Sequence, residues 1–394
     1  MTTTDLNPGA KKTLKIAAHG VTGRMGYRQH LLRSLLPLRE TGLLLEDGSK
    51  VEIELLILGR DQGKIKELAS KHHIAEWSTD VATALTDPSV DVFFDAATTT
   101  MRPDLLHRAL TAGKHIYSEK PTALDSATAI SLARAAAGSE RTSGVVHDKL
   151  YLPGLVKLRR LIDQGFFGRL LSLRGEFGYW VFEGDTQAAQ RPSWNYRKED
   201  GGGITTDMFC HWNYVLEGLI GPVRSVDAKI VTHIPQRWDE QGKAYQVTAD
   251  DAAYGSFELE GPDGGQVIAQ INSSWAVRVH RDELVEFQLD GTEGSAVAGL
   301  FHCVAQHRAN TPKPVWNPDL PVAESFREQW FEVPDNAALE NGFAAQWQEF
   351  LRDCLAGRKH RFDLLSAARG VQLAELGLAA SSERRTVDVP EIGL

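Results

Sequence analysis

Cysteine is scarce: Cys210, Cys303 and Cys354 are the three in 394 residues. Odd in number and widely spaced, they exclude a disulfide framework and a cysteine-built zinc site, and they point to free thiols in a reducing cytoplasm. Positive charge is also short. Lys and Arg number 43 against 52 Asp and Glu, a net charge of -9, with no long basic run. Nucleic acid is therefore not expected as a partner, because phosphate contacts need clustered cations. No stretch of about 18 apolar residues occurs, so no membrane span is expected. Residues 1–12 are polar, lack the apolar centre of a signal peptide and read as a flexible arm. The 13 histidines include no metalloprotease-type helical pair, and no metal site is expected.

What is present suits a soluble globular protein of two domains: 42% hydrophobic residues, 24% charged, and a length beyond one ordinary core. Residues 13–147 alternate strand and helix. Leu14 to His19 reads as a strand, Gly20-Val21-Thr22-Gly23-Arg24-Met25-Gly26 as a glycine-rich turn, and Tyr27 to Leu38 as a helix. Glycines let backbone approach a pyrophosphate, and a helix N-terminus offers it free N–H groups, so Gly20, Thr22, Gly23, Arg24 and Met25 are candidate dinucleotide contacts. The spacing is G-x-x-G-x-x-G instead of the usual G-x-G-x-x-G.

A second strand, Val51 to Leu58, ends at Gly59-Arg60-Asp61. An acidic residue at that tip holds the ribose of NAD, whereas an arginine receives the extra phosphate of NADP. Arg60, with Lys64 a turn later, leans toward NADP; stacking of Arg60 on the adenine would suit either cofactor. The apolar run Val90 to Ala97 reads as a central parallel strand. Thr98 and Thr99 follow it, placed to touch the cofactor or to cap the next helix, which starts near Pro103. Gly113 to Ser118 leads to Glu119-Lys120-Pro121, a lysine at the carboxyl end of a strand.

Residues 148–394 change character. Strand-like runs at 170–177, 223–231, 252–259, 266–275 and 284–290 predict an α+β domain with one large, mostly antiparallel, open-faced sheet. The loop from Gln190 to Arg197 carries Arg191 and Trp194, types that bind anions and stack on sugars. Tyr179, after the first of these strands, belongs to either the site or the core. Gly201-Gly202-Gly203 precedes a helix with Asp207 and His211 four residues apart, on one face. Helices near 343–356 and 364–382 close the chain, the C-terminal helix expected to pack back on the first domain.

Four of these signals occur in a specific order: the Gly20–Gly26 turn; Ala112-Gly113-Lys114-His115 leading to Glu119-Lys120-Pro121; Gly165-Phe166-Phe167-Gly168; and Gly201-Gly202-Gly203 with Asp207 and His211. Together they resemble the glucose–fructose oxidoreductase/inositol dehydrogenase (Gfo/Idh/MocA) family across most of the chain. The glycine-rich turn alone also resembles dihydrodipicolinate reductases, which are shorter and lack the later motifs. The resemblance implies a Rossmann domain with a parallel sheet, an open-faced sheet domain through which dimers or tetramers form, and NAD or NADP as cofactor. It implies Lys120, Asp207 and His211 as catalytic residues. Glu119 and Lys120 join the cofactor contacts; Lys120, Lys149, Tyr179, Arg191, Trp194, Asp207 and His211 form the candidate substrate set. Three departures stand out: Arg102 where the family often has histidine, Asp148-Lys149 where it often has an Asn-Arg pair, and Gly59 in place of an acidic residue.

Hydride transfer from a secondary alcohol requires a base for the hydroxyl proton and a positive neighbour for the developing alkoxide. A histidine suits the first and a lysine the second, with Asp207 orienting the imidazole or holding a sugar hydroxyl. Two reactions fit. One is net oxidation of a sugar or polyol. The other is redox-neutral, NAD-dependent glycoside hydrolysis by transient oxidation, elimination, water addition and re-reduction. The Arg191/Trp194 loop is similar to NAD-dependent sulfoquinovosidases, which implies an anionic sugar and NAD. An inert ligand sensor on the same fold is disfavoured by the presence of Lys120, Asp207 and His211.

Overall fold

A computed structural model describes residues 13–181, 191–314, 317–321, 324–338 and 341–394; the expected arm, 1–12, and Gln190 lie outside them. The described residues form two compact units. One takes in 13–148, 341–368 and 392–394; the other takes in 149–338 and 369–391. The first boundary falls one residue from the expected one. The assignment of all of 148–394 to a second domain does not hold, because 341–368 belongs with the first unit.

The first unit is built on a sheet whose strand order is Leu43–Leu44, Lys50–Leu58, Thr13–His19, Val92–Asp95, His115–Ser118, Ser143–Val145, with Glu76–Ser78 also on Lys50–Leu58. All pairings are parallel except the short Leu43–Leu44 edge. Leu14 to His19 are all buried, as a strand flanked by two others and covered on both faces requires. The order reverses between Thr13–His19 and Val92–Asp95, which is the crevice where doubly wound sheets bind ligands. Crossover helices begin where the sequence places side-chain caps: Asp61 accepts from Lys64 N, Asp80 from Thr83 N and Asp125 from Thr128 N. The helix after the glycine-rich turn is wound in π fashion over Gly26–Leu35 and continues as α-helix over Leu36–Thr41.

Helix Gly342–Ala356 completes this unit's core. It starts at Asn341, whose side chain accepts from Phe343 N and Ala344 N, and stops at left-handed Gly357. Its Trp347 ring lies 4.4 Å from Tyr117 and 5.1 Å from Phe94, and Phe350 stacks 4.7 Å from Tyr117. Helix Gly342–Ala356 thus belongs wholly to the first unit. The last, Leu364–Glu383, runs across the boundary between the two sets of residues.

The second unit is a nine-stranded sheet in the order Phe331–Glu332, Cys303–His307, Gly294–Ala298, Val285–Gly291, Leu170–Gly178, Gln266–Ser274, Ala252–Glu260, Val223–Val231, Val387–Asp388. Only Leu170–Gly178 and Gln266–Ser274 pair in parallel. Alternation sets the faces. In Ala252–Glu260, Ala253, Gly255, Phe257 and Leu259 are buried while Tyr254, Glu258 and Glu260 are exposed. Helix Ile204–Leu219 lies on the buried face, with Trp212 donating to Ser273 Oγ at 2.9 Å and Phe209 against Phe257. Among the described residues no helix is long and apolar enough to cross a membrane.

Candidate active site

Each unit carries one set of the sequence-predicted residues. In the first, the glycine-rich turn sits at the reversal of strand order. Gly20 has φ +80°, and a Cβ there would stand 2.5 Å from the Ala96 carbonyl carbon and the Ala97 nitrogen. A Cβ on Gly26 would collide with Gly20 O. Gly20 O accepts from Gly23 N at 3.1 Å, and Gly23 O from Tyr27 N at 2.7 Å. Backbone therefore lies against backbone, while Thr22, Gly23 and Arg24 are exposed and Met25 is half-buried. This cradle fits a dinucleotide pyrophosphate.

At the second strand tip, Gly59 is buried under Ile65 and Thr22. Asp61 is occupied as a helix cap, its Oδ1 3.0 Å from Lys64 N, and so does not replace the missing ribose carboxylate. Arg60 is exposed, and among the described residues none pairs with it. The two options left open for Thr98 and Thr99 separate here. Helix Arg102–Thr111 has no side-chain cap, so neither hydroxyl serves it. Thr98 is exposed, and Thr99 Oγ1 lies 3.4 Å from Arg102 Nη1.

Two buried networks flank the half-buried Lys120 in sequence. In the first, Glu119 Oε1 lies 2.8 Å from His30 Nε2, and Glu119 Oε2 accepts from Lys120 N at 3.1 Å. Trp347 Nε1, which can only donate, points at His30 Nδ1 at 3.0 Å. His30 must therefore carry its proton on Nε2 and donate it to Glu119. Burial alone would raise the Glu119 carboxyl, but the His30 hydrogen bond and the nearby Lys120 and Arg102 cations hold it below its ordinary value. In the second network Asp95, fully buried, takes His19 Nδ1 at 2.8 Å and Arg102 Nε at 2.9 Å. Here too burial pushes upward and the His19 and Arg102 contacts prevail, leaving Asp95 lowered. Arg102 also donates to Ala97 O at 2.6 Å and to Pro121 O. Neither His30, Trp347 nor Asp95 was marked by the sequence.

The second unit's set is built on helix Ile204–Leu219. Asp250 anchors its N-terminus, accepting from Thr205 N at 2.8 Å and Thr205 Oγ1 at 2.6 Å. Gly203, at φ +120°, leaves room for that carboxylate, which a Cβ would approach to 2.6 Å. Asp207 and His211 project one turn apart, as expected, and each has hydrogen-bonded neighbours. Asp207 Oδ2 accepts from Arg191 Nη1 at 3.0 Å. The same guanidinium reaches Asn195 Oδ1 at 3.0 Å and Tyr179 Oη at 3.1 Å, and stacks 4.3 Å over Trp275. Burial would lower the Arg191 pKa, but the Asp207 carboxylate raises it on balance. Buried His211 has Tyr214 Oη 2.7 Å from Nδ1 and Lys149 Nζ 3.2 Å from Nε2. An ammonium at Nε2 requires a lone pair there, which places the imidazole proton on Nδ1. Trp194 is 51% exposed, the only large hydrophobic of this loop so presented among the described residues. The sequence missed Tyr214, although it lies three residues after His211, as well as Asn195 and Trp275.

Among the described residues one group has metal-ligand spacing: Glu349, Asp353 and His360. Arg361 and Arg358 already neutralise its two carboxylates, at 2.7 and 3.1 Å, so the donor set is balanced without an ion.

Residues 20–147 match the oxidoreductase family with an NAD-binding Rossmann fold, and 155–297 match the GFO/IDH/MocA C-terminal domain. The chain is 70% identical to a D-xylose dehydrogenase of Paenarthrobacter nicotinovorans over 382 residues, covering 97% of this chain and 98% of that one. It is 24% identical over 245 residues to a levoglucosan dehydrogenase of Pseudarthrobacter phenanthrenivorans, covering 59% and 61% of the two chains. A solved levoglucosan dehydrogenase in complex with NADH and L-sorbose superposes with a TM-score of 0.79 at 18% identity, covering 96% of this chain and 99% of that one.

Proposed function

The chain belongs to the GFO/IDH/MocA oxidoreductase family, and on that premise we propose that this NAD-dependent sugar oxidoreductase acts on D-xylose or an aldopentose of the same shape. The 70% identity to a D-xylose dehydrogenase over 97% of the chain carries the reading. NAD, when bound, supplies the hydride acceptor. The glycine cradle of Gly20–Gly26 holds its pyrophosphate, with Thr22, Arg24, Met25, Thr98, Thr99 and Glu119 as further candidate contacts.

The remaining chemistry belongs to the protein's side chains. Lys120 polarises the reacting hydroxyl and stabilises the alkoxide as the proton leaves. His211, its proton already on Nδ1, receives the hydroxyl proton at Nε2 once the substrate displaces Lys149 from that lone pair. Tyr214 keeps the ring in this tautomer and orientation. Lys149 then serves a neighbouring sugar hydroxyl. Asp207, immobilised by Arg191, accepts from another hydroxyl, and the exposed Trp194 indole offers a stacking face to the sugar's C–H surface.

Substrate charge follows from Arg191. Its guanidinium is committed to Asp207, Asn195 and Tyr179, an arrangement that favours a neutral sugar over a sulfonated one. The exposed face of the nine-stranded sheet, where Tyr254 and Lys229 lie in register with Asn272 and Glu176, is our candidate for self-association into a dimer or tetramer. Three buried free cysteines suit a cytoplasmic location.

The test is to incubate the protein with NAD and D-xylose, and separately with NAD and a nitrophenyl xyloside. Reduced cofactor is expected to accumulate stoichiometrically with sugar consumed. Nitrophenol release without reduced cofactor would overturn net oxidation in favour of redox-neutral hydrolysis. Lys120→Ala is expected to abolish turnover; retained turnover removes Lys120 from the chemistry.

A further inference from the structure

The geometry points to Arg102 as the positioning residue for Lys120, an inference that rests on the catalytic role proposed for that lysine. Arg102 is 2% exposed and sits at the start of helix Arg102–Thr111, outside the motifs that mark the site. Its guanidinium joins three segments. Nε is fixed by Asp95, itself held by His19 at the end of the strand that enters the glycine-rich turn. Nη2 donates to Ala97 O, in the loop that carries Thr98 and Thr99 and lies against Gly20. Nη1 donates to Pro121 O, the carbonyl immediately after Lys120.

The choice of that carbonyl has a chemical reason. Pro121 has no N–H, so the backbone just after Lys120 offers carbonyl acceptors and no donor, which a cationic donor such as Arg102 can hold. On the amino side, Lys120 N is held by Glu119 Oε2. The lysine backbone is thus gripped on both sides by charged side chains that are themselves buried and anchored. A planar guanidinium can direct donors at Asp95, Ala97 and Pro121 simultaneously; an ammonium is a point charge and cannot span the three. A histidine at this position would also lack the reach to satisfy all three acceptors.

Arg102→Lys keeps the positive charge opposite Asp95 and tests the proposal; Arg102→Gln is the second variant. Three quantities are measured on whichever variant binds NAD within about threefold of the wild-type Kd by fluorescence titration. The first is kcat against KM for D-xylose: kcat is expected to fall about ten- to a hundredfold with KM changed less than threefold, since a displacement of about 1 Å costs this much. The second needs no turnover. Acetylation of Lys120 in the cofactor-free protein by acetic anhydride, followed by peptide mass spectrometry, is expected to run several times faster once the loop is released. The third is the Kd for NAD of Arg102→Lys in a Lys120→Ala background, expected to stay within about threefold of that of Lys120→Ala alone.

Unchanged kcat and unchanged Lys120 acetylation in both variants overturn the positioning role while leaving Lys120 catalytic. A fully active Lys120→Ala overturns the underlying reading instead. If both variants lose NAD binding and thermal stability together with activity, and Lys120 acetylation is unchanged in the folded fraction, Arg102 is a structural ion-pair residue and the proposal fails.

Discussion

Replacing Glu119 by glutamine changes one atom, yet it disturbs a hydrogen-bond pattern that has no slack. The carboxylate accepts at both oxygens, from His30 Nε2–H and from Lys120 N–H. An amide has one accepting oxygen and an NH2 group, so one of those donors must face another donor. His30 cannot relieve the conflict by moving its proton to Nδ1, because Trp347 Nε1–H already points there. His30 is fully buried and Glu119 nearly so, so Glu119→Gln is expected to destabilise the first unit by about 1–3 kcal/mol, the cost of one unsatisfied buried donor. Trp347→Phe alone leaves Nδ1 without its donor and is expected to cost a similar amount, plus a smaller packing loss against Tyr117 and Phe94. In the double variant the histidine is free to shift its proton to Nδ1. Nε2 then accepts from the introduced amide NH2, and the amide oxygen accepts from Lys120 N. Glu119→Gln should therefore cost about 1–3 kcal/mol less in the Trp347→Phe background than alone. Two units are present, so a single global unfolding free energy is not the quantity to use. Amide hydrogen exchange in His115–Ser118 and Thr13–His19 reads the first unit's stability directly. Additivity of the two substitutions within about 0.5 kcal/mol would refute the fixed tautomer.

Gly20→Ala should abolish NAD binding by isothermal titration, because its Cβ would collide with backbone at Ala96 and Ala97, which cannot rotate away. Arg60→Ala should leave the Kd for NAD within about threefold and weaken any NADP binding about tenfold or more, the loss of one charge-assisted contact; an equal effect on both cofactors would mean that Arg60 stacks on the adenine. Acid should weaken the two units in a definite order. Glu119 and Asp95 have lowered pKa values, so the stability they contribute is present above their ordinary values and is lost as pH falls through the folded ones. Glu217 and Asp250, in the second unit, are raised chiefly by burial, so their contribution is fully present at low pH and lost as pH rises. Hydrogen exchange between pH 6 and pH 3 should show protection falling in Thr13–His19 before it falls in Ala252–Glu260; the reverse order would contradict these assignments.

The parallel sheet was legible because its central strands are dense apolar runs and three of its helices begin at an aspartate cap. Lys50–Leu58 and Val92–Asp95 were found to within two residues on that basis. The second sheet was legible only in its long strands. Gly294–Ala298 is made of small residues and Cys303–His307 of mixed ones, so neither carries a clear hydrophobic period-two signal, although Gly294–Ala298 pairs with the neighbouring Val285–Gly291 and Cys303–His307 with Gly294–Ala298. Helix Gly342–Ala356 was found as a helix but given to the wrong domain. Its apolar stripe shows that it is buried against something; it does not show that Phe94 and Tyr117, more than 200 residues earlier, are the rings waiting for Trp347.

The site divides along a similar line. Lys120, Asp207 and His211 could be singled out because their position relative to strand ends and helix turns is local information. Their hydrogen-bond partners could not. Tyr214 was within reach, since i to i+3 on a helix brings it beside His211, but a tyrosine in an apolar helix is ordinarily core. Arg191 was read as a receiver of substrate charge from its type and its loop, and its burial against Trp275 with Asp207 opposite turns it into a support for the acid. Glu119, a carboxylate expected at the cofactor, also accepts from Lys120 N and so holds that residue's backbone. In each case the residue type announces a charge, while packing decides whether that charge faces a ligand or holds another side chain in place. Lys120, Asp207 and His211, the proposed catalytic residues, thus belong to a larger set of charged groups in which Asp95, Arg102 and Glu119 are buried and Arg191 is directed at Asp207.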